Sequence, residues 1–175
     1  MKRSIGLWQL MGFGSTSLLG TLLHFAYDWL GKPVWVAPFS GINESTWEHM
    51  KLLFWPMLAF SILQSFYFRD ICGFWRIQLR GILLGMLLIP VIFYTYNGAI
   101  GHSPDWFNIL IFFIAAAAAY VDQSRELLAR KQYRRSPVYA LLPLCVLGFC
   151  FVFFTFTTPK LPIFKDPLTG GYGIA

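Results

Sequence analysis

Residues 41–51, Gly-Ile-Asn-Glu-Ser-Thr-Trp-Glu-His-Met-Lys, crowd reactive groups into a short stretch just ahead of a long apolar run. Glu44 and Glu48 bring carboxylates, His49 an imidazole, Lys51 an ammonium, Asn43 an amide, and Ser45 and Thr46 hydroxyls. Where a helix begins here, Glu44 and Glu48 stand one turn apart, as do Ser45 and His49. Imidazole nitrogen and carboxylate oxygen are donors for a zinc-type divalent ion, and the same groups make acid–base pairs. A further imidazole, His24, lies inside the first apolar run, and an ionisable group at membrane depth is a candidate for function.

The chemical reading assigns His24, His49 and Glu48 to a divalent metal such as zinc, with Glu44 as the alternative carboxylate. Glu44, Glu48 and His49 are the catalytic candidates, the carboxylate not on the metal acting as base toward water. Asn43, Ser45, Trp47, Lys51, Tyr94 and Asp166 complete the candidate substrate-binding set. A structural reading competes with this one. Ser45-x-x-Glu48 before an apolar run is a capping-box pattern, and acidic residues suit the positive end of a helix dipole. Lys51 can neutralise a carboxylate, and His24 can bond Asp28, one turn further along. Neither covers His49.

The elements that must position these groups follow from composition. Of 175 residues, 57% are hydrophobic and 13% charged, about half the charge of a soluble domain. The apolar residues come in blocks near the ~20 residues needed to cross hydrocarbon. The expected fold is an all-α, polytopic transmembrane bundle with about five spans, near 5–30, 50–68, 77–97, 105–124 and 137–157. Loop 31–49 lies outside, 125–136 forms a cytoplasmic basic loop, and 158–175 is an extracellular tail. The first block is too long for a signal h-region and shows no small-x-small cleavage site before Asp28, so it reads as an uncleaved first helix.

Orientation comes from the basic residues. Lys2, Arg3, Arg69, Arg76, Arg80, Arg125, Arg130, Lys131, Arg134 and Arg135, ten of the fourteen Lys and Arg, fall on one side of a five-span layout. The positive-inside rule then puts the N-terminus in and the C-terminus out. The net charge of +6 is accounted for by the anionic inner leaflet, so no nucleic-acid partner is expected. Cys72, Cys145 and Cys150 form no C-x-x-C motif, so neither a disulfide framework nor a cysteine metal site is suggested.

Along the chain, Gly12, Gly14, Ser15, Ser17 and Gly20 make a small-residue stripe for close helix packing. Pro33, Trp35, Pro38 and Phe39 suit an extended path along the interface. Pro56 and Pro90 are expected to bend their helices. Gly81 and Gly85 have GxxxG spacing, and Ala115–Ala119 offers a smooth helix face. His102, the third histidine, and Asp105 fall on the same outer side as the cluster. The proline-rich tail reads either as a lid folded back over that side or as a disordered terminus.

Three stretches together resemble a family of small bacterial integral membrane proteins of unknown function: His24-Phe25-x-Tyr27-x-Trp29; Phe39–Lys51 with Phe54-Trp55-Pro56; and Pro162-x-Phe164-x-Asp166-Pro167 with Tyr172-Gly173-Ile174. The resemblance implies a bacterial cell membrane and carries no activity with it. Asn43-Glu44 and His49 are also similar, in part, to the helix entry of the zinc-dependent alkaline ceramidase and progestin/adiponectin receptor superfamily. The terminal His-x-x-x-His of that group is missing, and five helices are expected here rather than seven.

Two function classes follow. One is an outward-facing metal-dependent hydrolase or transferase acting on a lipid or envelope precursor. The other is a non-enzymatic binding, transport-accessory or membrane-complex subunit that recognises a small ligand or docks a membrane partner, as a homo-oligomer or with another chain. A third reading is purely structural. No Walker loop, Rossmann glycine pattern, HExxH or GxSxG motif points to another chemistry.

Overall fold

The computed structural model describes residues 2–101, 104–129 and 136–174. Five α-helices occupy the five apolar blocks: α1 (Lys2–Trp29), α2 (Thr46–Tyr67), α3 (Phe74–Ile100), α4 (Asp105–Ala129) and α5 (Val138–Phe156). A single 3-10 turn, Pro162–Phe164, follows, and no strand occurs among the described residues. Helices α3, α4 (from Trp106) and α5 are long and apolar enough to cross a bilayer. In α1 and α2 the polar residues Gln9, His24 and Asp28, and Glu48, His49, Lys51 and Gln64, dilute the apolar runs. His102 lies outside the described residues, as do 130–135 of the basic loop, and the Asp105 side chain is not described.

Helices α1, α2, α3 and α4 close a ring in which each packs on the next and α4 returns to α1; α5 lies outside, against α3 and α2. The ring is tight because small residues sit at the crossings. A Cβ on Gly20 would come within 2.5 Å of the Phe112 ring, and one on Gly85 within 2.7 Å of Leu53 and 3.2 Å of Ala119. The Ala115–Ala119 face of α4 is where α3 makes that approach, and Ala115, Ala116 and Ala119 are fully buried. Leu53, Phe54, Met57, Ile82 and Ile111 fill the centre. α2 and α3 stay helical through Pro56 and Pro90.

The two ends of the ring differ in chemistry. At one end Arg80 of α3 donates to Asp122 at 2.8 Å and to Glu126 at 3.0 Å, tying α3 to the last turns of α4. The other end carries His24, segment 41–51 and the tail. There the connector 31–41 is a run of turns, not an extended strand: Val36 N–H donates to Pro33, and Phe39 and Ser40 N–H both donate to Val36. Pro33 and Pro38 fit because neither is asked for an N–H. Val36 and Ala37 bury against Tyr27, while Val34 and Trp35 stay exposed.

Candidate metal centre

The site is assembled where the connector docks on the last turns of α1. Tyr27 N–H donates to the Ser40 hydroxyl at 3.0 Å, and that hydroxyl donates to the Leu23 carbonyl. Ser40 thus splices the connector into the helix beside His24. Gly41 N–H adds a bond to the same carbonyl at 3.2 Å. A Cβ on Gly41 would lie 3.4 Å from His24 Nδ1, so the chain passes tight against the ring on its way to Glu44.

Segment 43–46 then turns into α2. Ser45 is the N-cap; its hydroxyl accepts from Glu48 N–H at 3.4 Å, and its own N–H donates to Asn43 Oδ1 at 3.0 Å. Only half of a capping box forms, since the Glu48 carboxylate accepts from Ile42 N–H at 3.1 Å and pairs with Lys51 instead of returning to Ser45. Lys51 is fully buried and also donates to Ala37 O at 2.8 Å and Thr155 Oγ1 at 3.4 Å. Trp55 Nε1 donates to Pro38 O at 3.0 Å. A buried ammonium is tolerated only when paired and hydrogen-bonded, and these bonds pin the connector to α2 and α5.

With Glu48 so engaged, the carboxylate that meets the histidines is Glu44. Its oxygens lie 3.4 Å from His24 Nε2 and 3.6 Å from His49 Nε2, and one donor atom from each of the three residues falls within 4.8 Å of the others. His49 Nδ1 lies 2.9 Å from the Ser45 carbonyl. A carbonyl can only accept, so Nδ1 carries the proton and the Nε2 lone pair faces Glu44, the backbone orientation usual for a ligating histidine. His49 lies just ahead of the second expected span, and burial holds its pKa below the ordinary histidine value. The Ser45 carbonyl and Glu44 pull the other way, and His24 adds to the lowering. The neutral, ligating form is favoured. Two imidazoles and one carboxylate are also the donor set of catalytic zinc sites that keep one position open. His24, Glu44 and His49 fit such an ion.

The other candidates divide by position. Asp28 pairs with Lys32 at 3.7 Å rather than with His24. Glu48 and Lys51, expected at the metal and the substrate, are instead the buried clamp just described. Trp47 packs between Phe151 of α5 and Phe164 of the tail, with ring centroids 4.7 and 4.6 Å away. Tyr94 is exposed, its hydroxyl 3.5 Å from Thr46 Oγ1. Asp166 is turned into its own loop, accepting from Leu168 N–H at 2.9 Å and Thr169 Oγ1 at 2.7 Å. The tail itself folds back over the end of α2: Thr46 Oγ1 donates to Ile163 O at 3.1 Å, and Asn43 Nδ2 to Gly173 O at 3.2 Å. Sequence reasoning left out Ser40, the residue that makes the junction; an isolated serine in a turn-rich loop gives no signal of it.

A largely apolar groove of about 160 Å³ opens beside the two histidines, lined by Gly20, Thr21, Phe25 and Leu52 on one side and Ile109, Phe112 and Phe113 on the other. What the fold and site define is a helical protein with membrane-length helices and, at one end, a His24/Glu44/His49 cluster that could hold a metal ion. Residues 2–174 match the model of the family of unknown function DUF6512, and the chain belongs to that family. No curated protein and no solved structure matches it.

Proposed function

We propose that the chain is a plasma-membrane protein with five spans, N-terminus in and C-terminus out, whose outer face holds a divalent metal in a hydrolase or transferase site for a lipid or envelope precursor. Three membrane-length helices and the one-sided basic residues support the placement. A C-terminal alkaline phosphatase fusion should be active and a C-terminal green fluorescent fusion dark; the reverse pair would refute the orientation.

The observation that carries the chemistry is the convergence of His24, Glu44 and His49 next to an apolar groove. His24 and His49 supply imidazole nitrogens, the Ser45 carbonyl fixes the His49 tautomer, and Glu44 supplies a carboxylate oxygen. A bound divalent ion contributes Lewis acidity toward a carbonyl or phosphoryl oxygen. The groove between α1, α2 and α4 accepts the apolar part of an amphiphile and orients its polar end toward the histidines. Incubating zinc-loaded protein in mixed micelles with a panel of ester- and amide-linked lipids should release product detectable by mass spectrometry, and Glu44→Gln should abolish it. Full metal occupancy without turnover on the panel would sink the enzymatic reading.

A second reading is supported by the exposure of Val34, Trp35 and Phe39 on the connector. As a binding or accessory subunit, the chain would present this edge to a membrane partner or a second copy. A stoichiometric partner retained in detergent and lost in Trp35→Ala would favour it; a wild-type chain that purifies alone as a monomer would exclude it.

A further inference from the structure

At the end of the bundle opposite the histidines, α2 and α3 are joined by a short connector, and α5 begins beside them. Their ends do not close on one another. They leave a cavity of about 470 Å³. Its charged lining among the described residues is cationic: Arg69, just past the end of α2, and Arg76, in the first turn of α3. The neighbouring carboxylate, Asp70, is not part of the lining. Ser65 and Ser136 add hydroxyls, and Trp75 and Tyr139 add aromatic faces.

Arg69 contrasts with Arg80 a few residues on. Two carboxylates neutralise Arg80. Arg69 spends only its Nε, donating to the Phe66 carbonyl at 3.2 Å, which fixes the guanidinium plane and leaves both terminal amino groups without a protein acceptor among the described residues. A guanidinium presents paired donors that match two oxygens of one phosphate. With Arg76 and the hydroxyls of Ser65 and Ser136 also lining the cavity, the terminal amino groups of Arg69 make a site suited to an anion.

We propose that this cavity binds a phosphate-bearing anion, with Arg69 as its principal ligand and Arg76 lending positive charge beside it. The source is either an anionic phospholipid headgroup or a free phosphate compound, and both present the same oxygens. For a phospholipid, a cavity lined by arginines and by Trp75 and Tyr139 suits a headgroup at the leaflet surface, as in basic pockets between membrane helices.

The test uses the full chain purified in a neutral detergent. Native mass spectrometry is run against dioleoyl phosphatidylglycerol and against dioleoyl phosphatidylcholine, and isothermal titration against inorganic phosphate. Wild type should retain phosphatidylglycerol about tenfold more tightly than phosphatidylcholine, and the Arg69→Gln/Arg76→Gln double variant should lose that preference. Arg69→Lys, which keeps the charge and loses the paired donors, should fall between the two. Lys160→Gln/Lys165→Gln, an equal loss of charge at the far end, should change nothing. Saturable binding of inorganic phosphate that the double variant loses would identify a free phosphate as the ligand; binding of the lipid alone would identify the headgroup. If the double variant keeps its fold by size exclusion and binds phosphatidylglycerol and phosphate as wild type does, the cavity is not an anion site.

Discussion

Glu44 and Glu48 are four residues apart, one turn of helix, and they end in opposite circumstances. Glu48 is buried and held by a buried ammonium and a backbone N–H. Glu44 keeps 39% of its side chain exposed and faces two imidazoles with no ammonium in reach among the described residues. The first arrangement is saturated: every strong partner is spent on holding the connector to α2 and α5. The second is unsaturated, with one carboxylate between two imidazoles whose lone pairs and charge are still to be satisfied. Residues of the same type in one short motif therefore divide into a clamp and a candidate site, and the division depends on which one Lys51 reaches.

Breaking the clamp should produce the largest effect. Lys51→Met strands the Glu48 carboxylate in the interior, and removing one member of a buried pair costs about 3–5 kcal/mol. Thermal unfolding in detergent should show a large loss, partly recovered in Lys51→Met/Glu48→Leu, where both charges are gone. Equal stability losses for Lys51→Met and Glu44→Gln would erase the distinction between the two carboxylates.

The site variants should act on ligand rather than on fold. His24→Ala, His49→Ala and Glu44→Gln each remove a donor, and zinc affinity by competition titration should drop by at least ~100-fold, since even outer partners of metal ligands are worth ~10- to 100-fold. Their unfolding temperatures should move far less than that of Lys51→Met. The pH dependence sharpens the contrast. Metal and proton compete for the histidine nitrogens, so affinity is full where both are neutral and declines as pH falls into the histidine range. His49, with its pKa held below the ordinary value by burial, resists that loss longer than a solvent-exposed histidine would.

The smallest effect is expected at the tail. Asn43→Ala and Thr46→Val each delete one hydrogen bond to it, worth about 1 kcal/mol. Hydrogen exchange at residues 162–173 should rise while α2 is unchanged. Unchanged exchange would mean that the Trp47–Phe164 stacking alone holds the tail in place.

The helices were legible because they rest on composition: five apolar blocks became five helices, and Ser45 before an apolar run is the N-cap it resembles. Small residues at Gly20 and Gly85 announced close crossings for a local reason, the absence of a Cβ. That His24 and His49 share one end followed from the alternation of helices. The choice of Glu44 over Glu48 did not, since it rests on Ser40 entering α1 between Leu23 and Tyr27 and on Ala37 accepting from Lys51. These are tertiary contacts between residues of ordinary type, without a periodic signature. The turns of the connector were missed for the same reason: its prolines were compatible with an extended chain until Val36 and Ala37 found a buried place against Tyr27.

The most direct test of the central claim is elemental analysis of detergent-purified wild type beside His24→Ala, Glu44→Gln, Glu48→Gln and His49→Ala, all after zinc loading and desalting. The account predicts near-stoichiometric zinc in wild type, loss of metal in His24→Ala, Glu44→Gln and His49→Ala, and retention in whatever Glu48→Gln protein remains folded. A folded wild type that keeps no divalent metal, or a metal that survives removal of both histidines, would contradict it.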